Sequence, residues 1–483
     1  MSTVLTPDFF LHHAPPRAAA RWVVGFSGGL DSCALLALCA AWRDQAGSDQ
    51  DVLALHVHHG LSDQADSWLD HCQALCYQLD IPFISRRVEI MPQSRRSTEQ
   101  LARAARYGVF RDLCKPDDLL LLAHHQDDQV ETLLYRLLRG SGVLGLAAMA
   151  PFSEARGLAI WRPLLEVPRA ELQSFVQTQG LSWVEDPSNQ DVRYDRNFLR
   201  REVLPLLATR WPEARQTLAR SARLAAESAA LNDVLAAMDI AAARSSDAQV
   251  GSQKASLTIS ALQCLDRPRL NNVLRFWLRQ QGASLPSERV TTQMAAAVRD
   301  YHEEHNTLIA WQHAGSEARW QVRTFQGQLW LLKEMAVPGS AWQGSLLQDV
   351  NLDLPEGIGV MRLKSGASVP NSAGVELVQQ FADQQQCASV VLAKASIQAP
   401  LTVRFRRGGE RFQPAGRPAK SLKKWLHEWR IPPWERERLP LLFHGDELIW
   451  VPGQGAAAGW GAAPDGAGAV TITWYPCSTL LQD

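Results

Sequence analysis

Ser27-Gly28-Gly29-Leu30-Asp31-Ser32 narrows the fold more than any other part of the chain. An apolar run, Trp22-Val23-Val24-Gly25-Phe26, leads into it, and Cys33-Ala34-Leu35-Leu36-Ala37-Leu38 follows as a helical stretch. Strand, Gly/Ser turn and helix in that order build an anion site from backbone N–H groups and the positive end of a helix dipole. Gly28 and Gly29 let the main chain approach a phosphate and take positive φ where needed. Ser27 and Ser32 add hydroxyl donors around Leu30, and Asp31 can hold a cation between phosphates. No G-x-x-x-x-G-K-[ST] occurs, so this is not the phosphate loop of ordinary NTPases. Taken alone, the hexapeptide also fits a plain turn with an Asp/Ser cap.

Up to about residue 140, strand-like runs alternate with helical periods, the pattern of a parallel α/β sheet. Strands are expected at Trp22–Phe26, Val52–Val57, Phe83–Val88 and Leu119–Ala123, and helices near Asp31–Trp42, Gln64–Leu79, Thr98–Cys114 and Asp127–Leu138. Ligands in such sheets bind beyond the carboxyl ends of the strands. The hexapeptide, His56–His59 and His124–Asp128 all fall there, as three walls of one site. Residues from about Arg196 to Ala243 read as helical, Leu270–Gln280 as a helix and Trp320–Lys333 as a hairpin turning at Gln326-Gly327. Pro338–Ser345 reads as a linker, short strands follow from about Asn351, and the Gly/Ala-rich stretch 455–468 reads as a loop.

A length of 483 residues suits about three domains. The boundaries drawn are 1–215 for an α/β catalytic domain, 216–337 for a mainly helical central domain with the hairpin, and 345–483 for a mixed, strand-rich domain. No apolar run approaches the ~20 residues of a membrane span. Met1-Ser2-Thr3-Val4 lacks a signal-peptide pattern, and eight cysteines are scattered without pairing rhythm, so a cytoplasmic protein is expected. The net charge of −1 hides a local excess, because residues 401–440 carry eleven Lys/Arg against four Glu. Such a patch on a near-neutral chain suggests a shaped RNA contact, through Arg404, Arg406, Arg407, Arg411, Lys420, Lys423 and Lys424. A solvated surface is the plainer alternative.

His124-His125-Gln126-Asp127-Asp128-Gln129-Val130-Glu131-Thr132 is the second strong signal. Asp128 and Glu131, three apart, share a helix face, where one carboxylate can join a metal site and the other hold a cationic amine. A charged first helical turn would look alike. His56-Val57-His58-His59 lacks the Cys pair that would complete a zinc set, so His56, with His124, is assigned to an adenine or acceptor pocket or to a strand end. Arg193, Arg196 and Arg200 are spaced to share a helix face that could take phosphate.

S-G-G-L-D-S resembles the loop of the PP-loop, or N-type ATP pyrophosphatase, superfamily, whose members cleave ATP between the α and β phosphates. With H-V-H-H-G-L-S, H-H-x-D-D-Q-x-E-T, R-G-S-G, W-x-E-D-x-S-N and R-Y-D-R-N-F-L-R, all in order, the chain resembles the tRNA(Ile)-lysidine synthase family. Arg275-Phe276-Trp277-Leu278, Arg407-Gly408-Gly409-Glu410-Arg411-Phe412 and Leu422-Lys423-Lys424-Trp425-Leu426 extend that resemblance to the central and terminal domains. It implies ATP and Mg²⁺ as cofactors, with free L-lysine and a CAU-anticodon isoleucine tRNA as partners. It further implies adenylation of C2 of cytidine 34, then attack by the lysine amine. Asp31, Asp128, Glu131 and Arg196 become the candidate catalytic residues, and Asp128, Glu131 and Asn197 the candidates for holding lysine. A tRNA thiolase is disfavoured by the absence of C-x-x-C, and a glutamine-fed synthetase by the absence of an ammonia source. A silent RNA-binding protein would have no use for the acidic set. The oligomeric state is left open, a homodimer included.

Overall fold

The computed structural model describes residues 5–6, 8–46, 51–60, 62, 64–90, 98–155, 157–243, 256–302, 306–313, 318–365, 387–393, 397, 400–461 and 469–476. Residues 1–4, and 462–468 of the Gly/Ala-rich stretch, lie outside them. Contacts divide the chain into two compact units, Met1–Leu235 and Ala236–Asp483.

The first unit opens with a helical turn, α1 (Phe9–His12), and then alternates β1 (Arg21–Gly25), α2 (Leu30–Ala46), β2 (Asp51–His58), α3 (Ala65–Gln78), β3 (Phe83–Arg87), α4 (Thr98–Leu113), β4 (Asp118–Leu121) and α5 (Gln126–Leu137). After α6 (Val143–Leu146) come β5 (Phe152–Ala155), β6 (Leu158–Trp161) and α7 (Arg169–Thr178). The strands form one sheet in the order β3-β2-β1-β4-β6-β5, parallel throughout except where β5 runs antiparallel to β6.

Successive strand residues point to opposite faces, and here both faces are covered. Trp22, Val24, Val52, Ala54, Leu119 and Leu121 pack with Leu35, Cys72, Leu75, Leu172 and Phe175 of α2, α3 and α7. Their neighbours Val23, Leu53, Leu55, Leu120 and Ile160 pack with Val109 and Phe110 of α4. Each large apolar side chain buried this way contributes about 1.5–3 kcal/mol. β4 begins one residue earlier than its apolar run because buried Asp118 pairs with Arg21 at 2.5 Å.

α8 (Asp195–Phe198), a π-helical turn at Leu199–Val203 and α9 (Leu204–Arg210) follow, and then the 30-residue α10 (Ala214–Ala243). Arg193 does not join that helical run as its spacing suggested. It lies before α8, and its guanidinium is held by Asp191 at 2.6 Å.

In the second unit, β7 (Ser256–Thr258), α11 (Ile259–Gln263), α12 (Arg267–Gln280), α13 (Glu288–Arg299), β8 (Leu308–Gln312), β9 (Arg319–Phe325) and β10 (Gln328–Lys333) enclose a core centred on Trp277, Trp311 and Trp320. The β9–β10 hairpin turns at Gln326 and Gly327, both at positive φ (49° and 72°), as a two-residue primed turn demands. Beyond it lie β11 (Gln343–Leu346), β12 (Asn351–Leu354), β13 (Gly359–Ser365), β14 (Ala388–Ala393), β15 (Leu401–Arg404), β16 (Arg411–Phe412) and β17 (Lys420–Ser421). α14 (Leu422–Glu428), α15 (Pro433–Arg436), β18 (Leu441–His444), β19 (Glu447–Val451), β20 (Gly455–Ala456) and β21 (Ala469–Pro476) complete it. Two sheets result, β11-β15-β18-β19-β20 and β12-β13-β21-β14, with a β16–β17 pair beside them. Gln343–Leu346 pairs antiparallel with Leu401–Arg404, so the expected linker ends inside a strand. Gly455–Ala456 likewise pairs with β19 rather than looping free.

Candidate active site

The chain leaves β1 at Gly25 and enters α2 at Leu30, and the turn between them is tightly specified. Gly28 sits at φ +81°, and a Cβ there would lie 2.7 Å from Cys72 Sγ and 3.1 Å from Val184 Cγ2. The residue must therefore be glycine on two counts. Gly29 has ordinary φ, and a Cβ there would meet nothing closer than 3.6 Å. Ser32 Oγ donates to Gly29 O (2.9 Å), accepts from Ser27 N (3.3 Å) and lies 3.1 Å from Ser27 Oγ. Val184 N and Cys33 Sγ both donate to Gly28 O, at 2.9 and 3.2 Å. Leu30 and Cys33 are buried in the core, so Leu30 can offer a ligand only its backbone.

The second wall begins at His125, which caps α5. Its N–H donates to Asp128 Oδ2 at 3.1 Å. Its Nε2 stands 3.5 Å from Asp31 Oδ2 and 3.4 Å from Asp128 Oδ2, which ties the loop carboxylate to the α5 carboxylate. Arg169 Nε faces the other side of Asp31 at 3.5 Å. Arg200, from the π-helical turn, grips Glu131 through Nε and Nη2 at 2.5 and 3.0 Å and reaches Asp128 at 3.4 Å. Arg169, Asp31, His125, Asp128, Arg200 and Glu131 thus form one alternating line of charge.

Burial opposes ionisation along this line, but the partners mostly override it. It raises Asp31 most strongly, yet the hydrogen bond from His125 and the charges of His125, Arg169 and Arg200 bring it below its usual range. It disfavours protonated His125, yet the bond to Asp31 and the charges of Asp128, Asp31 and Asp127 raise that ring above its usual value. Glu131 is only 1% exposed, and burial pushes its carboxyl up further than Arg200 draws it down. The bidentate geometry is that of an ion pair, so Glu131 is ionised while Arg200 faces it.

Other candidates sit elsewhere. His56 is buried, its Nδ1 on Phe26 O at 2.9 Å, and burial lowers its pKa. His124 lies nearer the carboxylates, with a buried, unpartnered Nδ1 and a pKa pushed down to about 4 chiefly by burial. Arg196 Nη2 reaches Thr132 Oγ1 on α5 at 3.4 Å. Asn197 spends its amide N–H groups on Ser188 O and Asp191 O, at 3.0 and 2.9 Å, which braces the preceding turn rather than the carboxylates. Spacing did not single out His125, Arg169 or the Arg200–Glu131 pair. The capping position of His125 was the one local signal available.

Three family models match in chain order: a PP-loop domain over residues 7–207, a TilS substrate binding domain over 257–330 and a TilS substrate C-terminal domain over 401–474. A tRNA(Ile)-lysidine synthase of Pseudomonas putida is 39% identical over 438 residues, which cover 90% of this chain and 92% of the relative. The chain belongs to the tRNA(Ile)-lysidine synthase family. The Coxiella burnetii enzyme of that name is 34% identical, over 94% of this chain and 93% of its own length. A crystal structure of a TILS C-terminal domain is 27% identical, with a TM-score of 0.24, and spans 29% of this chain and 98% of that one.

Within the region matching the synthase C-terminal model, the seven expected RNA-contacting cations differ in freedom. Arg404 pairs with Asp446 at 3.3 Å, Arg406 stands 3.9 Å from Glu410, and Arg407 donates to Ser340 O at 2.7 Å. Lys420 pairs with Glu428 at 3.0 Å and lies 4.5 Å over the Trp425 ring. Arg411 and, on α14, Lys423 and Lys424 are exposed and make no ion pair with a described residue.

Proposed function

We propose that this chain makes lysidine on isoleucine tRNA, joining free lysine to C2 of cytidine 34 in a CAU anticodon at the expense of ATP, by way of an adenylated tRNA. The observation that carries this reading is the charge line from Asp31 through His125 to Asp128 and Glu131. It couples a phosphate-binding turn to an amine-binding carboxylate pair.

In the first step the C2 carbonyl oxygen of the base attacks the α-phosphorus and the α–β bond breaks, releasing pyrophosphate. Backbone N–H groups of the Gly28–Ser32 turn, with the Ser27 hydroxyl, would take up charge on the departing oxygens, while the Ser32 hydroxyl holds the turn through Gly29 O. Mg²⁺ suits this site because it needs only one or two carboxylates beside substrate phosphates. Among the described residues no three His, Cys, Asp or Glu side chains converge as a cage, whereas Asp31 and Asp128 flank one imidazole. Those two would hold the ion, which would neutralise pyrophosphate charge.

In the second step the lysine ε-amine attacks C2, gives up a proton, and AMP leaves with the adenylated oxygen. Asp128 and Glu131 already hold a cationic side chain, that of Arg200. A lysine ammonium carries the same charge and competes for the same oxygens. Glu131, drawn toward protonation by its burial, is suited to accept a proton once Arg200 is withdrawn. Arg196 is left to meet the nucleotide or the activated base, and Arg411, Lys423 and Lys424 the tRNA body.

The test is labelled lysine with ATP and either isoleucine or methionine tRNA, both bearing CAU. Incorporation into the first alone is expected. Pyrophosphate release without lysine transfer would refute the reading.

A further inference from the structure

The first unit holds a second group of cations that neither the nucleotide turn nor the carboxylate pair uses. Arg162, just past β6, is buried; its Nη1 donates to Ala150 O and Ser153 Oγ at 2.9 and 3.2 Å, and its buried Nε has no partner among the described residues. Arg103 of α4 reaches the Tyr107 hydroxyl at 3.4 Å and lies 5.1 Å over that ring. None of these partners is an anion. Arg106 follows one turn along the same helix.

Two histidines border the group. His59 lies one residue past β2 and His124 three past β4, and the Nδ1 of each is buried without a partner among the described residues. Burial first, then the charges of Arg162, Arg103 and Arg106, push His124 down to about 4; burial and Arg106 do the same to His59. Both rings are therefore neutral near pH 7, and each can donate an N–H. The Arg162 guanidinium, withdrawn from water with no carboxylate among its described partners, is unfavourable unless an anion arrives.

Position indicates which anion. α4 packs on the sheet face opposite α2, so these cations flank the carboxyl edge of the sheet across from the phosphate turn. The phosphates of ATP have their donors on the α2 side. We infer that Arg103, Arg106 and Arg162, with the His59 and His124 rings, form a subsite for a phosphodiester of the RNA strand that presents the acceptor base. The subsite rests on the tRNA reading above and adds where the strand is gripped beside the reacting base. Forked guanidinium donors suit a phosphate, and such contacts set register while leaving base identity to other groups.

The test is Arg103→Gln combined with Arg106→Gln in the full chain, both on the helix surface rather than in the core. KM for tRNA is expected to rise at least ~10-fold, and the slope of log KM against log salt to flatten by about 0.7–1.4, the share of one or two single-strand phosphates. KM for ATP should stay within about twofold, a split that a general folding defect would not give. A matching rise in KM for ATP would assign the cations to the nucleotide and overturn the proposal, as would an unchanged KM and salt slope for tRNA. In a second arm, tRNA carries one neutral methylphosphonate linkage beside the acceptor base. It should impair the wild-type enzyme and impair the variant no further; fully additive losses would overturn the subsite. A wild-type protein that puts no lysine on the tRNA would instead sink the functional reading itself.

Discussion

Gly28→Ala puts the nucleotide turn to its most quantitative test. At φ +81° an L-residue costs roughly 1–2 kcal/mol. The new methyl, 2.7 Å from Cys72 Sγ and 3.1 Å from Val184 Cγ2, adds an overpacking penalty of about 1–3 kcal/mol. The turn can escape only by moving, which breaks the bonds from Val184 N and Cys33 Sγ to Gly28 O. A total of ~2–5 kcal/mol corresponds to a loss of ATP affinity of roughly 30-fold or more, at 1.4 kcal/mol per factor of ten. Isothermal titration with ATP would measure it, with thermal unfolding run alongside. Adding Cys72→Ala removes the nearer clash and leaves the backbone strain. The double variant should recover about tenfold, a non-additivity expected of residues in contact. ATP binding by Gly28→Ala at wild-type strength, or no recovery from the second substitution, would show that the turn does not depend on a glycine at position 28.

The charge line predicts opposite pH limits. His125 is raised, so the stability its protonated form contributes is full below its ordinary value and is lost as pH rises through the higher folded one. Asp31 is lowered, so its contribution is present above its ordinary value and lost as pH falls through the folded one. His125→Asn should therefore remove the alkaline loss in a melting-temperature profile and, by taking away the main partner that holds Asp31 down, weaken the acid loss as well; an unaltered alkaline limb would count against the pairing. Lys423→Ala with Lys424→Ala should weaken tRNA binding, flatten its salt dependence and leave ATP affinity alone, as read by filter binding across salt concentrations. Unchanged tRNA affinity at every salt concentration would remove α14 from the interface.

Three of the four parallel strands, β1, β2 and β4, were legible because burial on both faces turns each into a largely apolar run, as in Trp22-Val23-Val24, with a polar motif at its carboxyl end; β3, with Arg86 and Arg87 exposed, showed only a short apolar start. The Asp128–Glu131 face was legible because three-residue spacing on a helix is local geometry. Arg200 was read as one of three cations facing a phosphate, and its contact with Glu131 escaped that reading because it joins positions 69 apart in the chain through a π-helical turn. Arg193 misled for a local reason: Asp191, two residues back, captures its guanidinium before the helix begins. The strand at Gln343–Leu346 was hidden because its partner, Leu401–Arg404, lies more than fifty residues downstream and Gly344 and Ser345 read as turn chemistry.

On the proposed mechanism the phosphate turn and the carboxylate pair do separable work. Glu131→Gln separates them, because Glu131 pairs with Arg200 and, among the described residues, hydrogen-bonds to none of the turn. Incubated with ATP labelled at the α-phosphate and isoleucine tRNA, this variant should still release pyrophosphate and leave labelled AMP on the tRNA, while lysine transfer is lost. Normal lysine transfer, or no pyrophosphate release at all, would contradict the claim.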